Sequence, residues 1–112
     1  MTAARLQPAF ATGYERLKGW SELLDAINLY PVADADTGRN LVVSLAPLHR
    51  FGSDPGAVAR RLLLCATGNS GNIAAGFFAG FIGVDPAADM RRAVRAGRER
   101  ARAAIADPAP GT

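Results

Sequence analysis

No stretch of this 112-residue sequence alternates apolar and polar residues for long enough to specify a β-strand; its apolar positions recur instead at spacings of three and four. That spacing lines one face of a helix, and it predicts an all-α fold. Leu6, Phe10, Tyr14 and Leu17 form the first such face, over residues 2–18. Pro8 suits the first turn of a helix, so the start falls between Thr2 and Pro8. Gly19 reads as a stop, and Ser21 as the cap of a short second helix carrying Leu23, Leu24 and Ile27. Pro31 ends that helix, because the residue before a proline avoids the α region. After a loop at 31–38, helix resumes near Arg39 with Leu41, Val42, Leu45 and Leu48.

Two Asp-Pro pairs punctuate the rest. Asp54-Pro55 is a good cap-and-first-turn pair for a helix to about Ala66, with Val58, Leu62 and Cys65 inward. Residues 67–71, TGNSG, read as a turn. Residues 73–84 are apolar almost all round, and Gly76 and Gly80, on one face, permit close helix packing. Asp85-Pro86 reads as the start of a last helix running to about Ala106, roughly 30 Å long at about 1.5 Å per residue. Met90, Val94, Gly97, Ala101 and Ile105 make its apolar stripe, and 107–112 form a loose Pro/Gly tail. The expectation is one domain of about six helices spanning 1–112.

With 49% apolar and 21% charged residues, the composition is that of a globular chain. A net charge of +3 is too mild to imply nucleic acid. Twelve of the thirteen basic residues are arginines, six of them between Arg91 and Arg102. Arg91, Arg95, Arg98 and Arg102 share a face that reads as solvated, with an acidic partner surface or nucleic acid as the lesser alternative. The lone Cys65 excludes an internal disulfide and fits a reducing compartment. No apolar run reaches the roughly 18 residues of a membrane span, and the N-terminus lacks the order of a secretory signal. The expected location is the cytoplasm, with no membrane partner.

Two segments carry the chemistry. Asp34 and Asp36 stand two residues apart at the mouth of a helix, followed by Thr37, Gly38 and Asn40. In extended backbone two such carboxylates can face one centre, and hard cations such as Mg²⁺ take oxygen ligands of this kind. The plain alternative is that both aspartates cap the next helix. Gly68, Asn69, Ser70 and Gly71 form a glycine-rich turn at a helix start, where backbone N–H groups and the helix dipole favour an anion. Its plain alternative is one helix cap followed by another. It is not a P-loop, since no lysine follows and no strand precedes. In an up-down arrangement two helices separate the segments, which can then lie at the same end. A carboxylate metal site facing an anion cradle is the minimum equipment for a magnesium nucleotide.

Residues 28–41, NLYPVADADTGRNL, resemble the NVFPVPDGDTGTNM segment of DhaL-type domains. Residues 65–81, CATGNSGNIAAGFFAGF, resemble that family's GARGNSGVILSQLFRGF segment, and 107–112 its later P-x-x-GT element. The family includes the ATP-binding subunits of dihydroxyacetone kinase and of fatty-acid kinase, and the match is closer to the second. The resemblance implies an antiparallel eight-helix barrel with Mg-ATP at one end. It implies that Asp34 and Asp36 bind the metal, with Asn28 near the place of a third ligand. Thr37, Gly38 and Asn40 would stand beside metal and phosphates, and Gly68, Asn69, Ser70 and Gly71 would contact the phosphates. The acceptor would be held by a dihydroxyacetone-binding subunit or a DegV-like fatty-acid-binding protein. The chain departs from the pattern at Ala33, Ala35, Arg39 and Thr67. Six helices against eight predict an incomplete domain, completed by a further copy or a second chain. The alternative function is a non-catalytic half-domain for partner binding or oligomerisation. His49 reads as a partner for a helix C-terminus, and Trp20, Phe77, Phe78 and Phe81 as packing residues.

Overall fold

The structure is a computed structural model, and it describes residues 3–27, 37–50, 54–86 and 88–106. It is all-α: five α-helices and one 3₁₀ helix, with no strand among the described residues. Helix α1 spans Ala3–Ile27, α2 Thr37–Leu45, α3 Pro55–Cys65, α4 Gly68–Gly83 and α5 Met90–Ala106; the 3₁₀ helix, Ala46–Arg50, continues α2. No helix among the described residues is long and apolar enough to cross a membrane.

The expected break at Gly19 is absent, and two expected helices are one. Ser21 does not cap a new helix; its hydroxyl donates back to the Lys18 carbonyl at 2.9 Å, a bond made within a continuing helix. The far half of α1 is held by α2, where Gly38 presses on the Ser21 backbone. Tertiary contact overrides the weak helix propensity of a single glycine here.

The Asp54-Pro55 start is as read: the Asp54 carboxylate accepts from the Ala57 N–H at 3.2 Å. Its counterpart at Asp85-Pro86 starts no helix. The Asp85 carbonyl instead closes a turn by accepting from the N–H groups of Ala88 and Asp89, both at 3.1 Å. Asp89 is the cap of α5, its carboxylate accepting from Arg92 N–H at 3.0 Å.

Helix α4 lies at the centre, packed on α2, α3 and α5. Its apolar circumference is matched by neighbours on several sides, and Ala75, Ala79, Phe81 and Ile82 are buried there with Leu48, Val58, Leu62 and Ala93. The α4–α5 contact is close because it is made of small residues. A Cβ on Gly80 would stand 2.5 Å from the Ala96 carbonyl, and one on Gly97 2.8 Å from that of Phe77. Phe10 of α1 meets Phe78 and Phe81 edge-on, with centroids 5.8 and 6.4 Å away.

Three inward readings are corrected. Cys65 is exposed, since it ends α3 just where the chain turns away towards α4. Trp20 is 61% exposed, because it faces away from α2. On α5 the buried line is Ala93 and Gly97, while Met90, Val94 and Ile105 are exposed. So tight a seam accepts only small side chains, and the larger ones stand at its edge. His49 also departs from its reading. Its Nε2 lies 3.0 Å from Glu15 Oε1 and its ring packs on Tyr14, whose hydroxyl donates to the Val42 carbonyl at 3.0 Å. Burial, and secondarily the Glu15 charge, raises the Tyr14 pKa above the usual phenol value.

Candidate functional site

The starts of α2 and α4 lie side by side. The Asn40 side chain, in the first turn of α2, rests directly against Gly68, the first residue of α4. Gly68 has φ +72°, the left-handed region where only glycine is free of strain. One turn further on, Gly71 is buried against the Ser44 hydroxyl and the Asn40 carbonyl. The glycine-rich segment is thus not a separate turn, as its sequence suggested, but the first turn of α4, which begins at Gly68 rather than near Ile73.

Two side chains fix this arrangement. Ser44 is fully buried; its oxygen accepts from Thr67 N–H at 2.9 Å, and its hydroxyl lies 3.4 Å from the Thr67 carbonyl. This ties the residue before α4 to the last turn of α2. At the other end, Asp25 in the last turn of α1 accepts from Gly38 N–H at 2.6 Å, with Arg39 N–H at 3.4 Å. The carboxylate therefore caps a neighbouring helix. Gly38 is buried where a Cβ would run into the Ser21 carbonyl, so the start of α2 sits flush on α1.

Neither Asp25 nor Ser44 stood out in the sequence. Asp25 had one signal: an acid in the last turn of a helix opposes the dipole of that helix, which asks for a partner elsewhere. Ser44 had one too, as a polar residue inside the apolar run 41–45. Asp25→Ala is expected to destabilise the fold by about 1 kcal/mol, the ordinary worth of a helix cap. Asp25→Asn should lose less, because an amide oxygen can still accept. Urea unfolding of the two variants checks this ordering.

Electrostatically, two helix N-termini converge. Neither first turn holds an acid of its own, but the Asp25 carboxylate of α1 already answers the start of α2, so the partial positive charge on outward N–H groups lies chiefly at the start of α4. Thr67, at the cap position of α4, is extended at φ −142° and makes no side-chain cap bond. The arrangement favours an anion at this end of the molecule.

Of the residues read as site candidates, Thr37, Asn40, Asn69 and Ser70 are half-buried and Gly38 and Gly71 buried. Asn40 directly joins the two segments through its contacts with Gly68 and Gly71. Asn28, Asp34 and Asp36 lie outside the described residues. Among the described residues no three His, Cys, Asp or Glu side chains cluster as a metal site. Asp36 directly precedes Thr37 in the chain.

No protein-family model and no solved structure matches the chain. Among curated proteins it is 31% identical to protein YloV of Bacillus subtilis over 115 aligned residues, covering 89% of this chain and 21% of that protein. Uncharacterized proteins of Staphylococcus saprophyticus and Staphylococcus aureus align over the same shares at 30% and 29% identity. The chain spans about a fifth of the length of the curated relatives it matches, and it is similar to that part of these bacterial proteins.

Proposed function

We propose that this chain is the magnesium- and ATP-binding part of a DhaL-type phosphotransferase, and that its helices form part of a barrel of that type. The observation that supports the reading is the contact of Asn40 with Gly68, which sets two helix starts side by side, and Asp36 directly precedes the first of them in sequence. The donor set fits the ligand. Carboxylate oxygens suit a hard divalent cation, and helix N–H groups with the hydroxyls of Thr37 and Ser70 suit phosphate oxygens.

In this reading Asp34 and Asp36 hold Mg²⁺, with Asn28 nearby as a lesser ligand. Bound there, the metal supplies positive charge against that developing on the transferring phosphoryl group. Gly68, Asn69, Ser70 and Gly71 cradle phosphates, while Thr37, Gly38 and Asn40 line the metal side. Ser44 and Asp25 keep the two helix starts in register, so the site is organised before the ligand arrives. No residue of the chain stands out as a general base. The acceptor is an alcohol or a carboxylate presented by a partner, of the dihydroxyacetone-binding or DegV-like fatty-acid-binding kind.

Transfer of labelled γ-phosphate from ATP to candidate acceptors tests this. The chain alone should show negligible turnover with dihydroxyacetone or free fatty acid, and activity should appear when an acceptor-binding partner is added. Failure with every such partner, despite demonstrated Mg-ATP binding, would favour a non-catalytic half-domain. Robust transfer by the chain alone would contradict the need for a partner.

A further inference from the structure

Helices α2 and α4, whose starts meet through Asn40 and Gly68, carry one charged side chain between them, that of Arg39. Gly38 before it is seated on α1 and Asn40 after it rests on α4, while Arg39 itself is exposed. Its backbone N–H lies 3.4 Å from the Asp25 carboxylate, but no ion pair joins its guanidinium to Asp25 or to another acid among the described residues. A cation in the first turn opposes the helix dipole, so this arginine does not serve the stability of α2. Side chains on a helix lean towards its N-terminus, so an arginine in the first turn can overhang the start of α2.

The position has a counterpart across the junction. Over residues 28–41 and 65–71 the DhaL-type pattern has one arginine, directly before the glycine-rich turn, and it has threonine where this chain has Arg39. Here the two are exchanged: Thr67 precedes Gly68, and Arg39 precedes Asn40. The residues that follow the exchanged pair, Gly68 and Asn40, are in direct contact. Thr67 N–H is also bonded to Ser44 of α2 at 2.9 Å, so both exchanged residues are fixed at one junction. Thr67 is exposed and its side chain makes no cap bond, so nothing in the fold calls for a hydroxyl there. The exchange moves a positive charge from one side of the junction to the other and leaves the charge count unchanged.

We propose, resting on the magnesium-nucleotide reading of this site, that the Arg39 guanidinium binds the nucleotide phosphates. It supplies from α2 the charge that the DhaL-type pattern places directly before α4. A guanidinium presents a planar fork of donors that matches two phosphate oxygens at once. Helix α4 has no charged side chain of its own, so it contributes N–H groups and Arg39 contributes the full charge. An arginine that was merely solvated would have no reason to accompany the loss of an arginine at position 67.

Calorimetric titration of the full chain with Mg-ATP provides the test. Arg39→Thr should weaken binding by about tenfold or more, the effect of losing a charge-assisted hydrogen bond. Adding Thr67→Arg to that variant is the decisive arm. It returns the charge from the other side of the junction, and affinity should recover to within about threefold of the unaltered chain. Thermal melts without nucleotide should show no loss of stability in Arg39→Thr, which removes a cation from the positive end of a helix. A lower melting temperature would assign Arg39 to the fold instead. Binding indifferent to Arg39→Thr, or a double variant as weak as the single one, would overturn the role of Arg39 and leave the magnesium-nucleotide site standing. An unaltered chain that binds no Mg-ATP would overturn that site, and the role of Arg39 with it.

Discussion

Asp36→Ala is expected to abolish Mg²⁺-dependent ATP binding while leaving helix content unchanged. In the proposed reading Asp34 and Asp36 are the carboxylate ligands of a hard cation, and among the described residues no cluster of three His, Cys, Asp or Glu side chains stands in for them. Altering groups that merely support metal ligands commonly costs about 10–100-fold in affinity, so loss of a direct ligand should exceed that. The substitution falls before α2, whose start is held separately by Asp25 and by the seat of Gly38 on Ser21. The fold should therefore survive, and far-ultraviolet circular dichroism checks it. If both aspartates served only as helix caps, Asp36→Ala would shift stability by about 1 kcal/mol and leave nucleotide affinity alone.

Gly71→Val is expected to destabilise the fold strongly. A Cβ there runs into the Ser44 hydroxyl and comes within 3.3 Å of the Asn40 carbonyl. Neither obstacle can move cheaply. Ser44 is fully buried and bonded to Thr67, and the Asn40 carbonyl belongs to a helix backbone. Overpacking of this kind costs about 1–3 kcal/mol, and losing the buried Ser44 bond adds about 1 kcal/mol more. The melting temperature should fall by roughly 10 °C or more. Gly13→Ala provides the contrast. It lies within α1 with nothing within 4 Å of its would-be Cβ, and removing a mid-helix glycine should stabilise by up to about 1 kcal/mol. Thermal melts of the two variants should move in opposite directions.

The helices were legible because burial against a neighbour imposes a 3.6-residue period that survives in the sequence. Val58 and Leu62 are buried as their spacing indicated, and Gly76 and Gly80 make the close seam their spacing suggested. Local punctuation was less reliable. Asp54-Pro55 caps a helix, but the same pair at Asp85-Pro86 closes a turn, because Asp89 lies where α5 can use it. Gly19 and Ser21 looked like a boundary, yet contact with α2 carries α1 through them. The exposure of Met90, Val94 and Ile105 could not be read from periodicity. Both the small and the large residues of α5 lie on or near one face, and only the closeness of α4 decides which are buried.

At the site, the sequence singled out two segments that can lie at one end of an up-down arrangement, and in the fold Asn40 of α2 meets Gly68 and Gly71. The residues that hold them together were harder to see. Asp25 acts 13 residues along the chain and Ser44 acts 23 residues along. Each looks ordinary beside its own sequence neighbours and acquires a role only from the helix packed opposite. Asn28, Asp34 and Asp36 lie outside the described residues, so their part rests on spacing and on resemblance.

A calorimetric titration of the chain with ATP, with Mg²⁺ present and then with the metal chelated, tests the central claim most directly. Two converging helix N-termini should hold phosphates only weakly without a cation to offset their charge, because Asp34 and Asp36 would otherwise face the phosphates as like charges. Saturable binding with Mg²⁺ that disappears on chelation is the predicted result. Equal binding with and without the metal, or no binding in either condition, would contradict the two-segment site.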